Sequence, residues 1–107
     1  MQSYAKVYLE AFSLDKTDFI GCGVCEKKST EFHHIISRGK FKGGLNLLEN
    51  IFPICRTCHS DYGDKTEFMV LLLQINRRRL QIATIDFDDR FFEFYINKYT
   101  AKQELKI

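Results

Sequence analysis

The sequence has no tryptophan, a single proline and no apolar run long enough to cross a bilayer. Its most apolar window, FMVLLLQI at 68–75, stops far short of the ~20 residues a spanning helix needs. Charge of one sign is lacking too. Lys and Arg total 16 against 14 Asp and Glu, and a formal charge of +2 does not by itself point to a polyanion partner. The N-terminal stretch MQSYAKVYLEAF mixes polar and apolar residues and has no apolar core of the signal-peptide kind. A soluble, cytoplasmic protein without a membrane partner is therefore expected. In that reducing compartment, four cysteines are thiolates available to a metal rather than disulfides. An apolar fraction of 45% and a charged fraction of 28% argue against disorder, and 107 residues suit a single domain.

Tyr4, Val7, Tyr8, Ala11 and Phe12 recur at helical spacing and predict a helix over about 3–13. Gly21 and Gly23 bracket Cys22 and predict a turn. Phe32 to Ile36 reads as a strand, and SRGKFKGG at 37–44 as a flexible basic loop. A second strand around Asn50–Ile54 contains Pro53, which suits an edge or a strand end. The next helix begins near Arg56, carries His59 and is interrupted at Gly63. Asp64 with Glu67 suggests a capping box for a helix over about 65–80. Its apolar residues cover an arc of roughly 200°, so it should pack on two sides. Asp88 or Asp89 caps a last helix in which Phe91, Phe92, Tyr95, Ile96 and Tyr99 share one face.

Cys22-Gly-Val-Cys25 and Cys55-Arg-Thr-Cys58 are two copies of C-x-x-C that together use every cysteine in the chain. Two intervening residues let the backbone turn sharply enough for both sulfurs to reach one ion. Two such turns close a tetrahedral site of four sulfurs around one zinc, with bonds of about 2.3 Å. A redox dithiol needs one pair and leaves the other unexplained. Cys55-Arg-Thr-Cys58-His59 also fits the c-type haem attachment pattern, but the second pair and the missing export signal count against it. Structural zinc has a task here, stapling two distant turns in a chain too short to rely on a large core.

The chain's three histidines remain. His33 and His34 stand side by side in EFHHII, where a regular strand would send only one ring to a given site. A lone histidine is more often structural. Here, however, the zinc staple would carry His59 toward the strand holding the other two. Such a cluster suits a second, open metal site with one imidazole spared as a base, serving attack by water on an electrophile such as a phosphodiester.

Cys22-x2-Cys25, Glu31-Phe32-His33-His34-Ile35, Glu49-Asn50-Ile51 and Pro53-Ile54-Cys55-x2-Cys58-His59 together resemble an HNH endonuclease, the ββα-metal or His-Me finger nuclease fold, in its zinc-stapled form. Arg38-Gly39 and Tyr62-Gly63-Asp64 are similar to short phage-encoded members, which would place the protein in a bacterial or phage-infected cell. The expected fold is α+β. It comprises a ββα-metal finger with a four-cysteine zinc site over about 20–64, an N-terminal helix, and a helical extension over about 65–105.

The resemblance implies that His33 is a ligand of a catalytic cation and His34 the general base. Asn50 would brace the loop between the strands, and His59 would be the second ligand. It further implies that the first strand ends at the histidine pair, so that both rings flank one phosphate. Many relatives carry another histidine four residues after the His59 equivalent, where this chain has Gly63. Either water and phosphate oxygens complete the metal's shell, or Asp61 or Asp64 contributes. Mg²⁺ and Mn²⁺ prefer oxygen, whereas two imidazoles suit Ni²⁺ or Zn²⁺.

Arg38, Lys40, Lys42 and Arg56 outweigh Glu49 around this core and suit contact with DNA phosphates, against the blander reading of a solvated loop. Arg77-Arg78-Arg79 reads as an ordinary charged helix face. The six aromatics from Phe87 to Tyr99 read as core, or as the interface of a homodimer through the last helix, more readily than as base-stacking rings. The function expected is a metal-dependent DNA endonuclease leaving 5′-phosphate and 3′-hydroxyl ends. Its rival is a zinc-stabilised DNA-binding module without catalysis.

Overall fold

A computed structural model describes residues 3–37, 39, 44 and 46–104. Helix α1, Tyr4–Ala11, starts where the Ser3 hydroxyl accepts the Lys6 amide at 3.3 Å. It ends earlier than its periodicity suggests, because Phe12 folds back to stack on Tyr8 at 4.4 Å and Ser13 takes a left-handed φ of 55°. Strands β1 (Glu31–His34) and β2 (Ile51–Ile54) form a two-stranded antiparallel sheet, with Glu31 opposite Ile54 and His34 opposite Ile51. Pro53 is tolerated in so narrow a sheet, and its carbonyl accepts the Gly23 amide at 2.9 Å, tying the first cysteine turn to β2.

Both strands are shorter than expected, for one reason. Asn50 closes a 3-10 turn, Leu48–Asn50, instead of opening β2, and its side chain takes over the role of the ladder. Its Oδ1 accepts the Ile36 amide at 2.7 Å, and its Nδ2 donates to the Ile36 carbonyl at 2.9 Å. Ile35 and Ile36 are thereby held beyond the strand end and fully inside.

Helix α2, Arg56–Tyr62, follows β2 directly, with Cys55 as its N-cap and the Cys55 sulfur accepting the Cys58 amide. This completes a ββα unit. The expected capping box does not form. Asp64 adopts a left-handed φ of 62° and turns its carboxylate toward the histidines. A 3-10 turn, Thr66–Phe68, then leads without a side-chain cap into α3, Met69–Ile82. Helix α4, Asp89–Glu104, does begin as expected, the Asp88 carboxylate accepting the Arg90 amide at 3.0 Å.

Helix α3 buries a narrower face than the sequence suggested, for Leu71 is 42% exposed while Met69, Leu72, Leu73 and Leu80 are inside. One buried cluster joins Cys22 and Cys58 of the cysteine turns to Phe52 and Ile54 of β2, to α3, and to Phe91, Phe92 and Tyr99 of α4. The core reading of the α4 aromatics holds. Phe87 and Tyr95 also pack against that cluster, which leaves Phe94 as the exposed ring of the six.

The arginine triplet is not simply a charged face. Arg77 pairs with Asp89, and Arg79 donates to the Tyr8 hydroxyl at 2.7 Å while lying over the Tyr8, Phe12 and Phe52 rings. Among the described residues, no helix is long and apolar enough to cross a membrane.

Candidate active site

The four cysteine sulfurs lie within 4.8 Å of one another, with Cys25 and Cys55 3.6 Å apart across the two turns. A tetrahedral zinc with bonds of about 2.3 Å has sulfur edges near 3.8 Å, so the cluster has the size of a four-sulfur zinc site. It is far too open for disulfides, whose sulfurs stand about 2.05 Å apart. Burial opposes the Cys22 thiolate, yet the surrounding backbone amides outweigh it, including Val24 N–H at 3.4 Å, and the thiol is pulled down to about 7. Gly23 permits this turn to lie flat on the sheet. A Cβ there would sit 2.4 Å from the Phe52 ring.

A second group of ligand atoms meets beside it. His33, His59 and Asp64 present theirs within 4.8 Å of one another. His33 Nδ1 is 3.9 Å from Asp64 Oδ1, His59 Nε2 is 3.7 Å from Asp64 Oδ2, and the two imidazole rings are 4.9 Å apart. Ligands on one ion at about 2.1 Å can stand up to about 4 Å apart, so these spacings fit a single small cation. Burial of His33, 5% exposed, disfavours its charged form and lowers its pKa to about 4. At neutral pH it therefore offers a lone pair without first losing a proton.

Glu31 organises the other candidate ligand, His59. One of its oxygens accepts His59 Nδ1–H at 2.8 Å, which leaves Nε2 as the free lone pair facing Asp64. The other oxygen accepts Arg56 Nη1 at 2.8 Å. The His59 hydrogen bond, followed by Arg56, holds the Glu31 carboxyl below the usual carboxylate range. Arg56, His59, Ser60, Gly63 and Asp64 line an open cleft of about 300 Å³.

Gly63 explains the missing histidine. A Cβ at this position would lie 2.4 Å from His59 Cδ2 and 2.7 Å from the His59 carbonyl oxygen, so no side chain fits while that ring stays in place. The left-handed turn at Asp64 supplies a carboxylate one residue later. Asp61, the other acidic candidate, is exposed and outside the ligand group.

His34 is not among these ligand atoms. The strand does end at the histidine pair, but its alternation persists. His33 faces His59, whereas Phe32 and His34 face α1, where the Tyr4 ring meets His34 edge-on at 4.8 Å. Asn50 is fully buried, and besides Ile36 it reaches the Gly44 carbonyl at 3.2 Å. Arg56 is exposed at the mouth of the cleft. Arg38, Lys40 and Lys42 lie outside the described residues.

The sequence pattern assigns no role to Glu31 and does not mark Asn76 as buried. A signal existed for Glu31, since it stands two residues before His33 and so on the same strand face.

A two-stranded sheet and the helix after it, directing two imidazoles and a carboxylate at one point beside a four-cysteine cluster, define a ββα finger of a mixed α and β protein, with two groups of side chains that could each hold a metal ion. Residues 22–65 match the model of the HNH endonuclease family, a span holding both cysteine pairs, all three histidines, Asn50 and Asp64. No curated protein and no solved structure shows significant similarity to the chain. Helices α1, α3 and α4 lie wholly outside the matched span.

Proposed function

We propose that the protein is a metal-dependent endonuclease that hydrolyses DNA phosphodiesters. The observation that carries this is the convergence of His33, His59 and Asp64 within the HNH-matching span. His33 and His59 would hold a divalent cation, with Asp64 as the third protein ligand. That cation, when bound, would supply positive charge to the oxygens of the scissile phosphate. Two imidazoles and one carboxylate favour Mn²⁺ or a later ion such as Ni²⁺ or Zn²⁺ over Mg²⁺.

The chain's own residues do the rest. The phosphate lies across the end of β1, where the two strand faces meet, and His34 takes the proton of the attacking water. Asn50 fixes the chain just beyond His34. Arg56, steadied by Glu31, and Arg38, Lys40 and Lys42 contact flanking phosphates without reading bases. The products are 5′-phosphate and 3′-hydroxyl ends.

Incubation of supercoiled plasmid with Mg²⁺, Mn²⁺ or Ni²⁺ tests this. Nicking is expected with at least one ion, and loss of nicking in His34→Ala with fold and zinc content intact. DNA retention without cleavage under every ion would make the protein a zinc-stabilised binding module instead.

A further inference from the structure

The three site histidines are held from different sides. Glu31 fixes His59, and burial fixes His33, but both lie on the α2 side of β1. The other side of β1, bearing Phe32 and His34, is covered by α1, outside the span that matches the nuclease family. There Tyr8 packs on Phe32 at 5.1 Å, and Tyr4 packs on both Phe32, at 6.3 Å, and His34. The Tyr4 and His34 rings meet at 4.8 Å and 82°.

We propose that Tyr4 is a positioning residue for His34, its ring edge-packed against the imidazole so that a helix outside the nuclease core sets the aim of the base. This rests on the assignment of His34 as the base. An imidazole at a strand end rotates about its terminal torsion in a broad, roughly two-fold well, which spreads its nitrogens over several directions. A ring packed at right angles to it narrows that range. Misplacing a reacting group by an ångström costs a large factor in rate, so the effect should appear in turnover rather than in binding.

The division of labour within α1 makes this testable. Tyr8, 1% exposed and bonded to Arg79, anchors the helix, while Tyr4 is only half-buried. Removing the Tyr4 ring should leave α1 docked. It should also leave metal affinity alone, since the cation ligands lie on the far side of β1.

Plasmid nicking by the full chain with Mn²⁺, compared among wild type, Tyr4→Leu, Tyr4→Phe and His34→Ala, tests the proposal. Tyr4→Leu should lose about tenfold or more in kcat with KM and Mn²⁺ affinity unchanged, and Tyr4→Phe should stay near wild type. The proposal is overturned by a Tyr4→Leu protein with wild-type kcat, by a Tyr4→Phe protein as impaired as Tyr4→Leu, or by a Tyr4→Leu protein that loses its fold. If His34→Ala still nicks, the base assignment itself fails. If His34→Ala is dead while Tyr4→Leu is fully active, the role of Tyr4 alone fails.

Discussion

Glu31 is the residue on which two functions meet, because its carboxylate holds the ring of one candidate ligand and the guanidinium of one candidate phosphate contact at the same 2.8 Å distance. Partners that orient metal-bound histidines typically contribute about 10- to 100-fold in affinity. Glu31→Ala should therefore weaken Mn²⁺ binding by about that factor, measured by titration, with zinc content unchanged. Gly63 makes the complementary case through shape. In Gly63→Ala the new Cβ must push the His59 ring aside, and overpacking of this kind costs about 1–3 kcal/mol. Loss of nicking together with a lowered urea midpoint is expected. The period-two pattern of β1 could have marked Glu31, but the expected strand began one residue later, at Phe32. Asp64 was readable only as one of two acidic candidates, beside a shell completed by water and phosphate oxygens, because its place depends on a left-handed residue that no spacing rule announces.

At the scale of elements, the strands and helices were legible wherever apolar periodicity was strong, and were misjudged where one polar side chain replaced a backbone partner. Asn50 shortened both strands in this way. Asn76, on the buried face of α3, donates to the Glu49 and Ile51 carbonyls and so ties that helix to the start of β2. A polar residue in an amphipathic pattern reads as surface, and only the packed fold shows otherwise. Asn50→Ala would leave the buried Ile36 amide and carbonyl without their partner, at about 1–3 kcal/mol for each. Urea unfolding should show this loss. Helix α4 gives a paired test. Phe92→Ala, at a fully buried position, should cost about 3–5 kcal/mol. Phe94→Ala, at an exposed one, should stay within about 0.5 kcal/mol of wild type.

For the whole molecule, the four-cysteine cluster joins the functional unit to the rest of the fold. Cys22 and Cys58 belong to the same buried cluster as α3 and α4, so a zinc held there would secure core as well as the two turns. Zinc removal by a strong chelator should abolish cooperative thermal unfolding, and added zinc should restore it. The cysteine spacing announced the meeting of the four sulfurs plainly. The coupling of α1 to β1 was not announced, since it depends on which helix face meets which strand face.

The most direct test is anomalous diffraction at the zinc and manganese edges from crystals grown with both ions. The expected result is one zinc held by Cys22, Cys25, Cys55 and Cys58 and one manganese touching His33 Nδ1, His59 Nε2 and an Asp64 oxygen. Paired disulfides in place of the zinc, or a manganese bound away from those three side chains, would contradict the proposed centre.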